Sequence, residues 1–377
     1  MLNPRLTDHA LRPCLLAAAI ALAADAAATP TPLGCVNTAI VSTANDSGAG
    51  SLRNAVSSVC AKGTIEFAQR FVIQLASEIV IDQALTIDGS RVASASAGTG
   101  NALVQLRGGA DHRIFRITQT GNLSLVRLRL SNGNVPGTGG AASNSGELRV
   151  FECRMDNNSA ASGNLGGGAI FSDVGSTLRI EGSTFDGNSA TRGAAVFNVG
   201  EAELLNSSFS GNRGITNEGA IQNRGILVAN HITVTDNGRI DSTPTAGGLF
   251  AFNADTTIIN SILAGNRGPD CFISGGVVDT VATLAQDTRS CTAQLTSAPE
   301  LQPLAGNGGV TRTHGLSATS PALGAGDRDF CLPRDQRGFV RPDDDRCDLG
   351  ALERGGFDPD QIFNSGFESQ SPPPAVD

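Results

Sequence analysis

The feature that most constrains this chain is an eleven-residue phrase that recurs six times between residues 123 and 266. It reads LSLVRLRLSNG at 123–133, LRVFECRMDNN at 148–158 and LRIEGSTFDGN at 178–188. It returns as AELLNSSFSGN at 202–212, LVANHITVTDN at 227–237 and TTIINSILAGN at 256–266. Each copy carries apolar or small residues at the same offsets, which in the third copy are Leu178, Ile180, Ser183, Phe185 and Asn188. The copies end on Gly133, Asn158, Asn188, Asn212, Asn237 and Asn266, with spacings of 25, 30, 24, 25 and 29 residues. Such a period signals a stacked-repeat protein, in which one unit cannot bury its apolar face alone.

Leu178 and Ile180 alternate with Arg179 and Glu181, which is strand period. Gly182 breaks the alternation, and Ser183 and Phe185 resume it in a new phase. Two short strands meeting at a tight corner explain this. A third strand precedes each phrase, in GAIFSD at 168–173, AAVFNV at 194–199, GAIQNR at 219–224 and GLFAFN at 248–253. Three short strands per period predict an all-β, right-handed, single-stranded parallel β-helix, a solenoid of roughly ten coils. A propeller blade would need a longer period, and no stretch suits the helix of a leucine-rich repeat.

Two polar ladders are expected along the axis. Asn144, Asp173, Asn198, Asn223 and Asn253 are assigned to one equivalent position, and the phrase-ending Asn158, Asn188, Asn212, Asn237 and Asn266 to a second. Stacked amides can hydrogen-bond from coil to coil. A residue repeated in every coil reads as structural, since catalysis needs one site.

An open solenoid exposes strand edges at both ends. A short N-terminal capping helix is expected after Ser51, with Leu52, Val56 and Val59 on one face. The expected organisation is a signal peptide at 1–28, an N-terminal cap at 29–63, the β-helix at 64–315, a C-terminal capping segment at 316–356 and a tail at 357–377. Arg5 and Arg12, the apolar run from Leu15 to Ala24 and the small residues Ala26 to Ala28 support the signal peptide. The expected location is secreted, extracellular or cell-surface. No later stretch is long and apolar enough for a membrane-spanning helix, and the residues that remain are too few for an autotransporter barrel.

Cysteines pair by proximity in sequence: Cys35 with Cys60, Cys271 with Cys291 and Cys331 with Cys347, as three local disulfides pinning the ends and one excursion. Cys153 is left over and takes the Ser183 position of its phrase, so it is read as a buried thiol. The net charge of −9, without a basic stripe, argues against nucleic acid. The chain has no Trp and no Tyr, the rings that commonly stack on sugars, although 16 Phe remain.

Several segments resemble a known family. GAGSLRNAV at 48–56, GTIEF at 63–67, ALTIDGS at 84–90 and HRIFRI at 112–117 resemble the opening of bacterial choice-of-anchor Q proteins. NGGVTRTHGLSATSPALGAGD at 307–327, DQRGFVRP at 335–342 and CDLGALE at 347–353 resemble that family's closing segment. The resemblance implies an exported right-handed parallel β-helix related to polymorphic outer-membrane-protein repeats, with no common catalytic residues. IFNSGFE at 362–368 is similar to a short ending found on exported Gram-negative proteins.

The reading is therefore an exported, non-catalytic, structural or adhesin-like protein, monomeric, with a cell-surface glycan or protein as ligand and no cofactor. The alternative is a polysaccharide lyase or glycoside hydrolase on the same fold. An enzyme would draw its carboxylates from Asp156, Asp186 and Asp236 in the phrase corners, and its base from Arg154 or Arg213. Solvated turn residues are the plainer reading. Calcium, if bound, would use Asp343, Asp344, Asp345 and Asp348, which also fit a loop clamped by a disulfide. His112, His231 and His314 show no metal-ligand spacing, and the glycine-rich GNLGGGA at 163–169 precedes no helix.

Overall fold

The computed structural model describes residues 34–93, 103–161, 166–238, 246–289, 291–342 and 346–358, without the side chains of 215–218. The signal-peptide segment, Asp343, Asp344 and Asp345, and the ending at 362–368 lie outside the described residues.

The chain winds into a parallel β-solenoid whose coils each place one strand on three sheets. The coil around the third phrase shows the pattern: Ile170–Ser172, then Thr177–Glu181, then Thr184–Asp186. All strand-to-strand pairings are parallel, and each strand pairs with its counterpart one coil away. Among the described residues the third sheet has nine strands, close to the ten coils expected. The first and second sheets are joined into one 16-stranded sheet. The join occurs because Leu249–Ile259 and Cys271–Val281 run unbroken through the corner between them.

The corners explain the broken alternation in the phrase. Arg127, Glu152, Gly182, Asn206, His231, Asn260 and Ala282 all have positive φ, from 42° to 62°, where the second strand turns into the third. These seven coils therefore each turn on a single left-handed residue, whether or not that residue is glycine. A second left-handed residue ends the third strand: Asn132, Asn157, Gly187, Gly211, Asp236 and Gly265.

Inward residues alternate along every strand and fill one continuous core. Phe185 is fully buried, in register with Met155 and Phe209, and its ring stacks on Phe209 at 4.9 Å. The phrase-ending asparagines form the expected ladder. Each backbone N–H and side-chain Nδ2 donates to Oδ1 of the next asparagine, from Asn158 through Asn188, Asn212 and Asn237 to Asn266, at 2.9–3.1 Å. Each Nδ2 also donates to a backbone carbonyl one coil back, such as that of Phe185 for Asn212 at 2.9 Å. The ladder ends on the buried Asp270, whose Oδ1 accepts from the N–H and Nδ2 of Asn266. The first copy carries Gly133 because a Cβ there would lie 1.9 Å from the carbonyl oxygen of Gly140.

The other expected ladder needs correction. Asn144, Asn198 and Asn223 share its register, but Ser172 occupies the position assigned to Asp173, and Ala251 that assigned to Asn253. Extra residues in the corners after Ser172 and Ala251 shift the sequence match. Ser172 still continues the chain of bonds, accepting from Asn144 Nδ2 at 3.1 Å.

The N-terminal helix forms as expected. Leu52–Ser58 is helical, capped by Ser51 Oγ accepting from the N–H of Asn54 at 3.2 Å, and it buries Leu52 and Ala55. Two boundaries move. The solenoid already begins at Val36–Val41, inside the expected cap, and its last paired strand is Leu284–Ala285, about thirty residues before 315. The closing segment does not cover the open end. It runs back along the outward side of the third sheet, burying Leu316, Ala322 and Leu349 against Ile262, Ala264 and Leu284. The three disulfides pair as expected, and Cys153 is a free buried thiol. No helix among the described residues is long and apolar enough to cross a membrane.

Two substitutions separate core from ladder. Phe185→Asp leaves a charge unpaired in the core and is expected to lower stability by at least about 3 kcal/mol. Asn212→Ala removes its bonds to Asn237 and Phe185 and strips Asn188 of its acceptor, costing about 2–4 kcal/mol. Urea unfolding measures both. A wild-type midpoint for Asn212→Ala would mean that the amides add nothing to backbone pairing.

Candidate functional site

The outward side of the third sheet gathers the residues expected of an enzyme. Asp156 and Asp186 are register partners on adjacent coils, followed by Ser210 and Thr235. Asp236 is therefore not in this row. It sits one residue later, at a left-handed corner with φ 59°. Arg129 grips Asp156 with two bonds of 2.7 Å, and Arg154 grips Asp186 with two of 2.8 Å. Arg154 Nε also lies 3.6 Å from Asp156, and Arg312 reaches Asp186 at 3.9 Å. Asp156 is fully buried and Arg154 nearly so. Burial pulls the Arg154 pKa down, but the Asp186 bond and the charges of Asp186 and Asp156 outweigh it, so the net shift is upward. A cation held this firmly cannot accept a proton from a substrate. Arg213 is exposed at the start of Arg213–Glu218, which belongs to a separate four-stranded sheet among the described residues, and is not a member of the row.

The row continues under the closing segment, and here the family-like motifs acquire roles. Gln336 is buried at the centre. Its Nε2 lies 3.0–3.2 Å from Ser183 O, Thr184 Oγ1, Thr311 Oγ1 and Arg312 O, and its Oε1 accepts from Ser208 Oγ at 2.6 Å. Arg341 pairs with Glu353 at 2.6 Å, both nearly fully buried, and donates to Asn206 Oδ1 at 3.0 Å. Asp335 holds Arg337 through two bonds and accepts from the N–H of Glu353. These contacts span 128–153 residues of sequence where they cross to the coils.

Asp348, the described member of the calcium set, already spends both oxygens. It accepts from Gly324 N at 2.8 Å and Arg354 N at 2.7 Å. Burial raises its pKa despite these bonds. Those two bonds clamp two loops together.

His231 occupies a left-handed corner beneath the segment, fully buried, with Nδ1 3.2 Å from Gly350 O and Nε2 3.6 Å from Cys347 Sγ. It approaches Cys331 and Cys347 closely enough for a metal set, a grouping invisible in sequence. Those sulfurs are bonded to each other, so they offer no thiolates. His314 Nε2 lies 3.0 Å from Ser210 Oγ and its Nδ1 2.7 Å from Gln302 O. His112 is far away, against Asp111 and Leu75 O. Burial, helped by Arg341 for His231 and by Arg312 for His314, pushes both buried imidazoles down. Burial also pushes the Cys153 thiol up to about 12, which makes it inert as a nucleophile.

The second sheet faces outward without such cover. Glu147, Arg149, Arg179, Glu201, Glu203 and Val228 line a shallow groove of about 390 Å³ there. Arg179 pairs with both Glu181 and Glu203, and Arg149 with Glu147. On the first sheet, Phe171, Phe197, Phe250 and Phe272 stand in one outward row, broken by Gln222. Gln222 is fully buried, and neither amide atom has a hydrogen-bond partner among the described residues. Sequence reading missed this row because its members precede the recurring phrase.

Arg154→Ala would strip the mostly buried Asp186 of both its short bonds and is expected to cost about 3–5 kcal/mol, against under about 0.5 kcal/mol for Arg213→Ala, by urea unfolding. The histidines set a pH dependence. Their folded pKa values lie below the unfolded value of about 6.5, so their contribution is complete above that pH and lost as pH falls below it. The melting temperature should drop between about pH 7.5 and 5, and His231→Gln should flatten that drop.

No protein-family model matches this chain, and no curated protein matches it.

Proposed function

We propose that this chain is an exported, non-catalytic β-helix protein of the choice-of-anchor Q type, serving as a structural or adhesin-like binder at the cell surface. The observation that carries this reading is the state of Asp156 and Asp186. Each is held by an arginine through two bonds and lies in or beside the buried row under the closing segment. Glycoside hydrolysis needs one carboxyl group protonated and one free, with room for substrate between them. A paired, desolvated row supplies neither.

The family-like closing motifs also support the reading. Asp335, Gln336, Arg337, Arg341, Asp348 and Glu353 all bond within the chain. Their chemistry is spent on docking the segment. The uncovered second sheet is the surface left for a ligand, and its mixed acidic, basic and aliphatic lining suits a glycan or a protein better than a polyanion.

One observation favours the enzymatic alternative. Glu201 and Glu203 stand two residues apart on the same open face, above the groove. A panel of neutral and acidic glycans, assayed for unsaturated products and reducing ends with and without calcium, separates the readings. The expected result is no turnover, with saturable binding to at least one surface glycan or protein that weakens in Arg179→Glu. Turnover lost in Glu201→Gln would move the active site to the groove, and turnover lost in Asp156→Ala would move it to the ion-paired row.

A further inference from the structure

Within the solenoid, a strand of the second sheet has a neighbour on each side. Two strands lack one among the described residues. Val36–Val41 pairs only with Val59–Phe67. The stretch 276–281 of Cys271–Val281 pairs only with Leu249–Ile259. At that end the first and third sheets are each extended by a bridge, Cys271 to Thr288 and Leu284 to Leu295, whereas the second is not. The two open edges therefore belong to one sheet, at its opposite ends, and each is six residues long.

Their backbone polarity matches. Val41 points inward, and its carbonyl accepts from Ala68 N at 2.9 Å in the next coil. Inward residues thus turn their backbone groups toward the C-terminal end, and outward residues toward the N-terminal end. Thr38 and Ile40 consequently present N–H and C=O at the open N-terminal edge. At the other end, the carbonyl of outward-facing Val281 accepts from Asn260 N, back toward the preceding coil. Val278 then presents its own at the open C-terminal edge, while the carbonyl of Thr280 accepts from the Gln294 side chain. One edge offers what the other lacks.

The pairing of Val36–Val41 shifts register between Val36 and Thr38, but neither edge is otherwise protected by lysine or proline. Val36–Val41 contains no charge and no proline, and the only charge in 276–281 is Asp279. Val36, Ile40 and Val277 are 45%, 47% and 58% exposed beside the open backbone. We propose that the occupant of each edge is a second copy of this chain, so that the second sheet continues from the C-terminal edge of one molecule into the N-terminal edge of the next. The contact is heterologous, and translation along the axis does not close it, so it builds linear chains instead of a closed dimer. The sequence alone had suggested a monomer. The inference does not depend on the ligand proposed above.

Sedimentation velocity on the purified chain tests it from about 10 µM to about 1 mM, the range suited to an interface below about 1,200 Å². The weight-average mass should rise with concentration past that of a dimer. Ile40→Pro removes an edge donor that the intramolecular ladder does not use, and Val278→Pro does the same at the other end. Each variant alone should remain monomeric, and an equimolar mixture should form dimers and stop there, because one usable edge of each kind survives. Ile40→Lys and Val277→Lys, which keep every backbone donor, should weaken association at least about tenfold, and circular dichroism checks that all four variants fold. A wild-type chain monomeric at about 1 mM, growth unaffected by the edge variants, or a mixture that stays monomeric would each overturn the proposal.

Discussion

Everything in this structure depends on one coil finding the next. A single coil of three short strands has no core and no hydrogen-bonded partner of its own. Its backbone groups are satisfied only across the parallel ladders. The asparagine ladder fixes where that stacking occurs. Each amide accepts two bonds from the coil before it and donates one to a backbone carbonyl of that same preceding coil, as Asn212 does to Phe185 and Asn237 to Phe209. A slip of one residue would turn Phe185 outward and break every amide bond at once. Register and core packing are thus enforced by the same repeat.

The repeat was legible because the six phrases carry a fixed length from the second sheet to the end of the third. Within that span each corner is a single left-handed residue, so counting offsets maps sequence onto space. Phe185, Met155 and Phe209 could be placed in one column for this reason, and so could the five asparagines. Outside that span corner length varies, and counting fails. The corner from Asp173 to Ser176 is longer than its neighbours, which shifted Asp173 out of a ladder that Ser172 occupies. The assignment of Asp236 failed more simply, by one offset, to the residue that must adopt φ 59°.

The candidate site was legible only in part. Asp156 and Asp186 were correctly placed on adjacent coils, but their arginine partners follow from which side chains share the outward face of the third sheet. Arg129 and Arg154 do so because they are register partners on that face, and each reaches the aspartate two residues further along the strand of the next coil. The closing segment was recognisable as a motif, yet nothing local in it states where it docks. Its contacts join residues more than a hundred positions apart, so Gln336, Arg341 and His231 meet only in the folded chain.

That docking also accounts for the unequal treatment of the three outward faces. The third is sealed by polar side chains whose bonds are all internal. Removing the segment would expose Ile262 and Leu284 and leave Thr184 and Ser208 without partners. Buried ions such as Arg341 and Glu353 add little net stability by themselves, but a mispositioned segment would leave both charges unpaired. They therefore select one docking position against its neighbours on a repetitive surface, where a shift of one coil would otherwise meet nearly the same strands. The second face has no such selection, because its ion pairs are exposed and screened by solvent. A repetitive scaffold that spends its specific polar chemistry on register and docking leaves the second, solvated face with few side chains that the fold requires.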